Sequence, residues 1–178
     1  MEVLSKLETR IIGWLKNVPH LPIGVRKWIA ENIWWIVTIA VVVVALAVLW
    51  MLSRLFWHVD TLNSPMLSYY VSTAFVGWLV VSTLINLGFT AIQLALMAFA
   101  ISPLKQRVKR GWVLLFASWL VSIVAVVVGA ILTFNPLSFI GNIIFGALVV
   151  AVTGYILFEI RDQFAHVEKT AGARGKKA

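Results

Sequence analysis

Thr83, Asn86, Thr90 and Gln93 recur at i, i+3, i+7 and i+10 within an otherwise apolar run. On a helix that spacing draws one narrow polar stripe. Hydroxyls and carboxamides both donate and accept hydrogen bonds. The chemistry open to them here is contact: holding a neighbouring helix, lining a watery path, or meeting a small polar ligand. A carboxamide left facing hydrocarbon costs several kcal/mol, so the stripe is expected to face protein or water. Candidate partners on other segments are Thr38, Ser118, Ser122, Asn142 and Thr153. If the run enters the membrane near Val71, Asn86 lies close to mid-membrane. Thr83 is then about one turn outward and Gln93 about two turns inward. Asn142 falls nearer the outer side and suits Thr83 better than Gln93.

Other chemistry-bearing residues are sparse. Glu159 stands at the end of the last apolar run and is expected to pair with Lys105 or Arg107. His58 and Asp60 are two apart, a spacing that does not share a helix face, and read as parts of a solvated loop. His20 lies between Pro19 and Pro22 with no second ligand nearby, so no metal site is expected. The sequence has no Cys, which excludes disulfides and thiol redox chemistry. It shows no nucleophile elbow and no phosphate-cradling Gly loop. No ionisable group lies deep in an apolar run, as pumps and proton relays usually require. A non-enzyme without cofactor is the expectation.

The surrounding elements must be membrane helices. The 178 residues are 61% hydrophobic and only 12% charged, against about 45–50% and about 25% in soluble domains. From Thr61 to Leu104 there is no Asp, Glu, Lys or Arg. A hydrocarbon core about 30 Å thick takes roughly 20 apolar residues as a helix, the only open conformation when every backbone group must bond within its own segment. Four spans are expected, at about 33–52, 71–100, 112–134 and 137–160. Arg54 to Tyr70 reads as the first loop, with Ser64-Pro65 opening the second span and Pro103 marking its end. Asn135-Pro136 reads as a tight turn that makes the third and fourth spans antiparallel neighbours. The fold class is an all-α integral membrane protein: a four-helix bundle preceded by an amphipathic interfacial segment within 1–32 and followed by a basic tail, 161–178.

Basic residues orient the bundle. Fourteen of the fifteen Lys and Arg lie before the first span, between the second and third, or after the fourth; Arg54 alone lies on the other side. The positive-inside rule makes the basic side cytoplasmic, with both termini there and the cell membrane as location. Arg26, Lys27, Lys105, Arg107, Lys109 and Arg110 sit where lipid headgroups would meet them. The net charge of +8 therefore points to anionic lipid rather than nucleic acid. Trp28, Trp34, Trp35 and Trp112 mark one interface and Trp50 and Trp57 the other, whereas Trp78 and Trp119 lie deeper.

These features suit a non-enzymatic subunit, scaffold or accessory factor acting by helix–helix association, as a homo-oligomer or with other membrane proteins. The alternative is a small oligomeric channel or transporter whose path is lined by the stripe. A holin-like pore former, suggested by size, apolarity and the basic tail, is a third reading.

Overall fold

The computed structural model describes residues 6–7, 9–11, 13, 18–64, 72–133 and 136–164. Its long elements are α1 (Ile23–Asn63), α2 (Thr73–Lys105), α3 (Lys109–Ile131) and α4 (Pro136–Glu159), with no strand among the described residues. Each is long and apolar enough to cross a bilayer, so the chain is a multi-pass, all-α membrane protein.

The helices differ in length, and the difference corrects two expectations. α1 has 41 residues, about 61 Å at 1.5 Å each. α3 has 23, about 35 Å. The segment after Arg54 is thus not a loop as far as residue 63: α1 continues to Asn63, with Ser64 as its C-cap, and the expected helix opening at Ser64-Pro65 falls on residues outside those described. The physical reason is plain in the residues. No Pro or Gly falls between Leu52 and Asn63, and Thr61 returns its hydroxyl to the Trp57 carbonyl at 2.8 Å. His58 and Thr61 are buried rather than solvated. The expected loop residues 65–70 lie outside the described residues, as do Phe134, Asn135 and the tail from 165 onward. Residues 1–5, 8, 12 and 14–17 of the expected amphipathic segment do too. Ile11 in that segment is helical and packs partly buried against the core.

Pro103 does not end α2 either. It sits inside the last turn, two residues before Lys105. The stop is made by Arg107, a non-glycine residue at φ 54°. Its N–H bonds the Leu104 carbonyl, and the Val108 N–H reaches back to the Pro103 carbonyl, both at 2.9 Å. This left-handed closure satisfies two terminal carbonyls of α2 and turns the chain into α3.

Packing follows chain order: α1 lies on α2, α2 on α3, and α3 on α4. The four come together at the basic end. There Ala30, Ile33 and Val37 of α1, Ala100 and Leu104 of α2, Trp112 and Phe116 of α3, and Leu157 of α4, with Ile160 and Phe164 after it, form one buried cluster. Gly111 fits directly against the α2 backbone, where a Cβ would stand 2.7 Å from the Leu104 nitrogen. Trp112 stacks on Phe116, and Phe158 packs edge-on to both.

Candidate functional site

Register between helices fixes the depth of the stripe. Gly129 of α3 lies opposite Asn86, where its Cβ position would be 3.4 Å from the Asn86 Oδ1. Gly129 is about 30 Å along α3 from Lys109, a full hydrocarbon thickness. Thr90 lies 3.9 Å from the Met51 sulfur near the far end of the first span. For a hydrocarbon core that starts at Lys109 and matches the length of α3, Asn86 falls near the far boundary and Gln93 near mid-depth. Counting inward from Val71 instead puts Asn86 deeper, and the two counts differ because α2 extends well past the end of α3.

Three of the four stripe residues satisfy themselves. Thr83 donates to the Leu79 carbonyl at 2.7 Å, Asn86 to the Ser82 carbonyl at 2.8 Å, and Thr90 to the Asn86 carbonyl at 2.8 Å. Each bond returns one turn along α2 itself, a local device that spares a hydroxyl or amide the cost of facing lipid. Gln93 is different. Among the described residues it makes no hydrogen bond. It borders a cleft of about 460 Å³ between α1, α3 and α4, together with Ser118, Ser122 and Thr153. Ser122 and Thr153 also bond back along their own helices, to Trp119 and Val149 at 2.7 Å each. So three expected partners, Ser118, Ser122 and Thr153, gather near Gln93 without bonding it. Asn142 lies elsewhere, donating to the Thr133 hydroxyl at 3.2 Å. Thr38 donates to its own Trp34 carbonyl.

Three indoles bond across to a neighbouring segment, and Trp119 among them lines the cleft. Trp119 Nε1 donates to the Val150 carbonyl at 2.9 Å, and Gly154 admits its ring, since a Cβ there would meet Cζ2 at 2.6 Å. At the basic end Trp112 Nε1 donates to the Leu157 carbonyl at 2.8 Å. At the far end Trp78 Nε1 donates to the Leu132 carbonyl at 3.2 Å. Trp78 and Trp119, expected deep in the membrane, thus both tie to a neighbouring helix or its end, Trp78 at the far end and Trp119 beside the cleft.

Glu159 is buried, and its partners correct an expectation. It does not pair with Lys105 or Arg107. The His20 Nδ1–H donates to its Oε1 at 2.6 Å, the Leu21 backbone N–H donates to Oε2 at 3.0 Å, and Arg26 Nε stands 3.4 Å from Oε2. The logic is local. α1 has no acid in its first turn and no side-chain cap on Pro22. A carboxylate from α4 supplies the negative charge that a helix start favours. Tyr155 adds a bond to the Pro19 carbonyl at 2.6 Å. Arg107 instead reaches Glu31 at 3.2 Å, and Lys105 lies 5.2 Å above the Trp34 ring. Lys27, Lys109 and Arg110 are exposed at this same end. A single His and a single Glu give no pairing signal in sequence. The uncapped start of α1 was the only clue.

A second cleft went unseen in the sequence. It holds about 220 Å³ between the far halves of α1 and α2, bordered by Trp50, Met51, Arg54 and His58 and by Leu79, Ser82, Thr83 and Asn86. His58 is buried, and neither ring nitrogen has a hydrogen-bond partner among the described residues. Among the described residues no three His, Asp or Glu lie close enough to share a metal. No protein-family model, curated protein or solved structure matches this chain.

Proposed function

We propose that this protein is a non-enzymatic accessory subunit or scaffold of the cell membrane, working by helix–helix association, with its basic end and both termini on the cytoplasmic side. The observation that carries this reading is Gln93: a carboxamide near mid-depth, its side chain without a hydrogen bond among the described residues, beside a cleft open between α1 and α4. Such a group is stabilised by a polar contact from outside the chain, supplied by a neighbouring helix of a second copy or of another membrane protein. Exposed apolar residues on both sides, among them Ile36, Phe145 and Val149, give that neighbour a surface on which to pack. Exposed bases at the basic end attract anionic headgroups, which fits the proposed orientation.

The test is the mass of the intact complex after purification in mild detergent, for the natural chain and for Gln93→Leu. The natural chain is expected to run as an assembly larger than one chain. Gln93→Leu should loosen that assembly about threefold, the order expected from an average intramembrane hydrogen bond. A natural chain that is monomeric, or an assembly indifferent to Gln93→Leu, removes the reading.

The gathering of Ser118, Ser122 and Thr153 near Gln93 favours a second reading, a small channel or transporter. The chain contains no Cys, so single cysteines at 93 and 153 report cleanly. Reaction of both with a membrane-impermeant thiol reagent is the outcome a water-filled path requires. Silence at both is the outcome an association surface requires.

A further inference from the structure

Arg54 lies away from the basic end, on the stretch of α1 beyond the first expected span. Among the described residues it has no acidic partner. It is not idle, because its guanidinium lies over the Trp50 ring at 5.0 Å. Stacking fixes the plane of the fork while leaving its N–H edge free for an oxyanion. Beside it, the polar cleft between α1 and α2 sits near the far boundary of the bilayer, at the level of Asn86. His58 borders it, 3% exposed and unbonded at both nitrogens. An imidazole so enclosed forfeits hydrogen bonds that water would otherwise supply, and something must replace them.

The available hydrogen-bonding groups say what. Asn86 uses one amide N–H on the Ser82 carbonyl, and a carboxamide has two. Neutral imidazole carries one N–H, and Arg54 presents several. The hydroxyls of Ser82 and Thr83 are already spent on the Leu79 carbonyl. No carboxylate borders the cleft. Arg54, His58 and Asn86, each with an N–H to donate, thus border one cleft, which among the described residues has one positive charge and no negative one. The volume of about 220 Å³ corresponds to about seven waters at liquid density, ample for one tetrahedral anion.

We infer that this cleft binds a phosphate oxyanion, presented either by a phospholipid headgroup or as free phosphate. Arg54 supplies the charge and the bidentate fork, His58 and Asn86 the neutral donors, and Trp50 the platform that keeps the fork in place.

The test follows Arg54 itself, so that phosphate bound by the bases of the opposite end does not register. The full chain in detergent is treated with phenylglyoxal, and modification of Arg54 is timed by peptide mass spectrometry. Three additions are compared: phosphatidylglycerol, diacylglycerol without phosphate, and inorganic phosphate. Saturating phosphatidylglycerol should slow Arg54 modification at least about tenfold relative to diacylglycerol, as charge-assisted contacts of this kind allow. Protection by the lipid alone assigns a headgroup, and protection by inorganic phosphate assigns a free anion. His58→Phe, which keeps the ring and removes its nitrogens, should lose most of the protection. Equal modification under all three additions overturns the inference. So does full protection in His58→Phe, because the phosphate would then be screening Arg54 from outside the cleft.

Discussion

The two ends of this bundle are built by different rules. At the basic end, side chains reach across to other elements: Glu159 to His20 and Leu21, Trp112 to Leu157, Arg107 to Glu31. Buried residues from all four helices meet there. Toward the far end, polar groups of α2 turn back on their own helix, as Thr83, Asn86 and Thr90 do. Large apolar residues there face outward, Phe145 of α4 at 71% exposure and Phe56 of α1 at 72%. The lesson concerns what holds helices together in lipid. Exposed apolar surface there is not a driving force, because lipid is as apolar as leucine; association comes from close packing and from the bonds that span the gap. One end has both. The other has the Trp78 tie, the Asn86–Gly129 approach and two clefts.

Substitutions at the packed end should therefore cost most. Trp112→Ala removes a fully buried indole and its bond to Leu157 and should destabilise by about 3–5 kcal/mol, read as a lowered thermal midpoint in detergent. A loss under about 1 kcal/mol would break the contrast between the ends. Gly111→Ala comes next. Its new methyl meets α2 backbone, which cannot swing aside as a side chain would, at an expected cost of about 1–3 kcal/mol. The same change at Gly88, with nothing within 4 Å, should be neutral or stabilising by up to about 1 kcal/mol. The difference between these two thermal midpoints sharpens the comparison within one helix-packing chemistry. Smallest is Asn86→Leu. Because its amide is bonded within α2, the variant should lose about 0.6 kcal/mol, the average for such polar contacts. A loss of several kcal/mol would show that Asn86 ties helices together across the far end.

The number of helices and their apolar character were legible because lipid leaves a chain few choices. An apolar run of sufficient length must be a helix, and the runs at about 33–52, 71–100, 112–134 and 137–160 are long enough. Lengths were less legible. Arg54, His58 and Asp60 resemble loop residues by type, yet nothing between Leu52 and Asn63 breaks a helix. The stripe was readable as a spacing but not as a depth, because depth depends on register against α3, a property of packing. The Glu159 contacts were hidden by sequence distance: His20 and Glu159 lie 139 residues apart. The cleft beside Arg54 was hidden for a different reason: its walls, late α1 and early α2, leave a gap only through the way the two helices pack.

One last consequence belongs to α1. Between Ile23 and Asn63 it contains no proline and only Gly24 near its start, so nothing along its length invites a bend. It is anchored near its first turn by the Arg26 contact to Glu159 and ends about 61 Å away. A stiff rod pivoting at its foot magnifies whatever happens there: a swing of about 5° carries the tip through about 5 Å. Rearranging a few atoms around one carboxylate would be felt as a movement wider than a water molecule on the opposite side of the membrane.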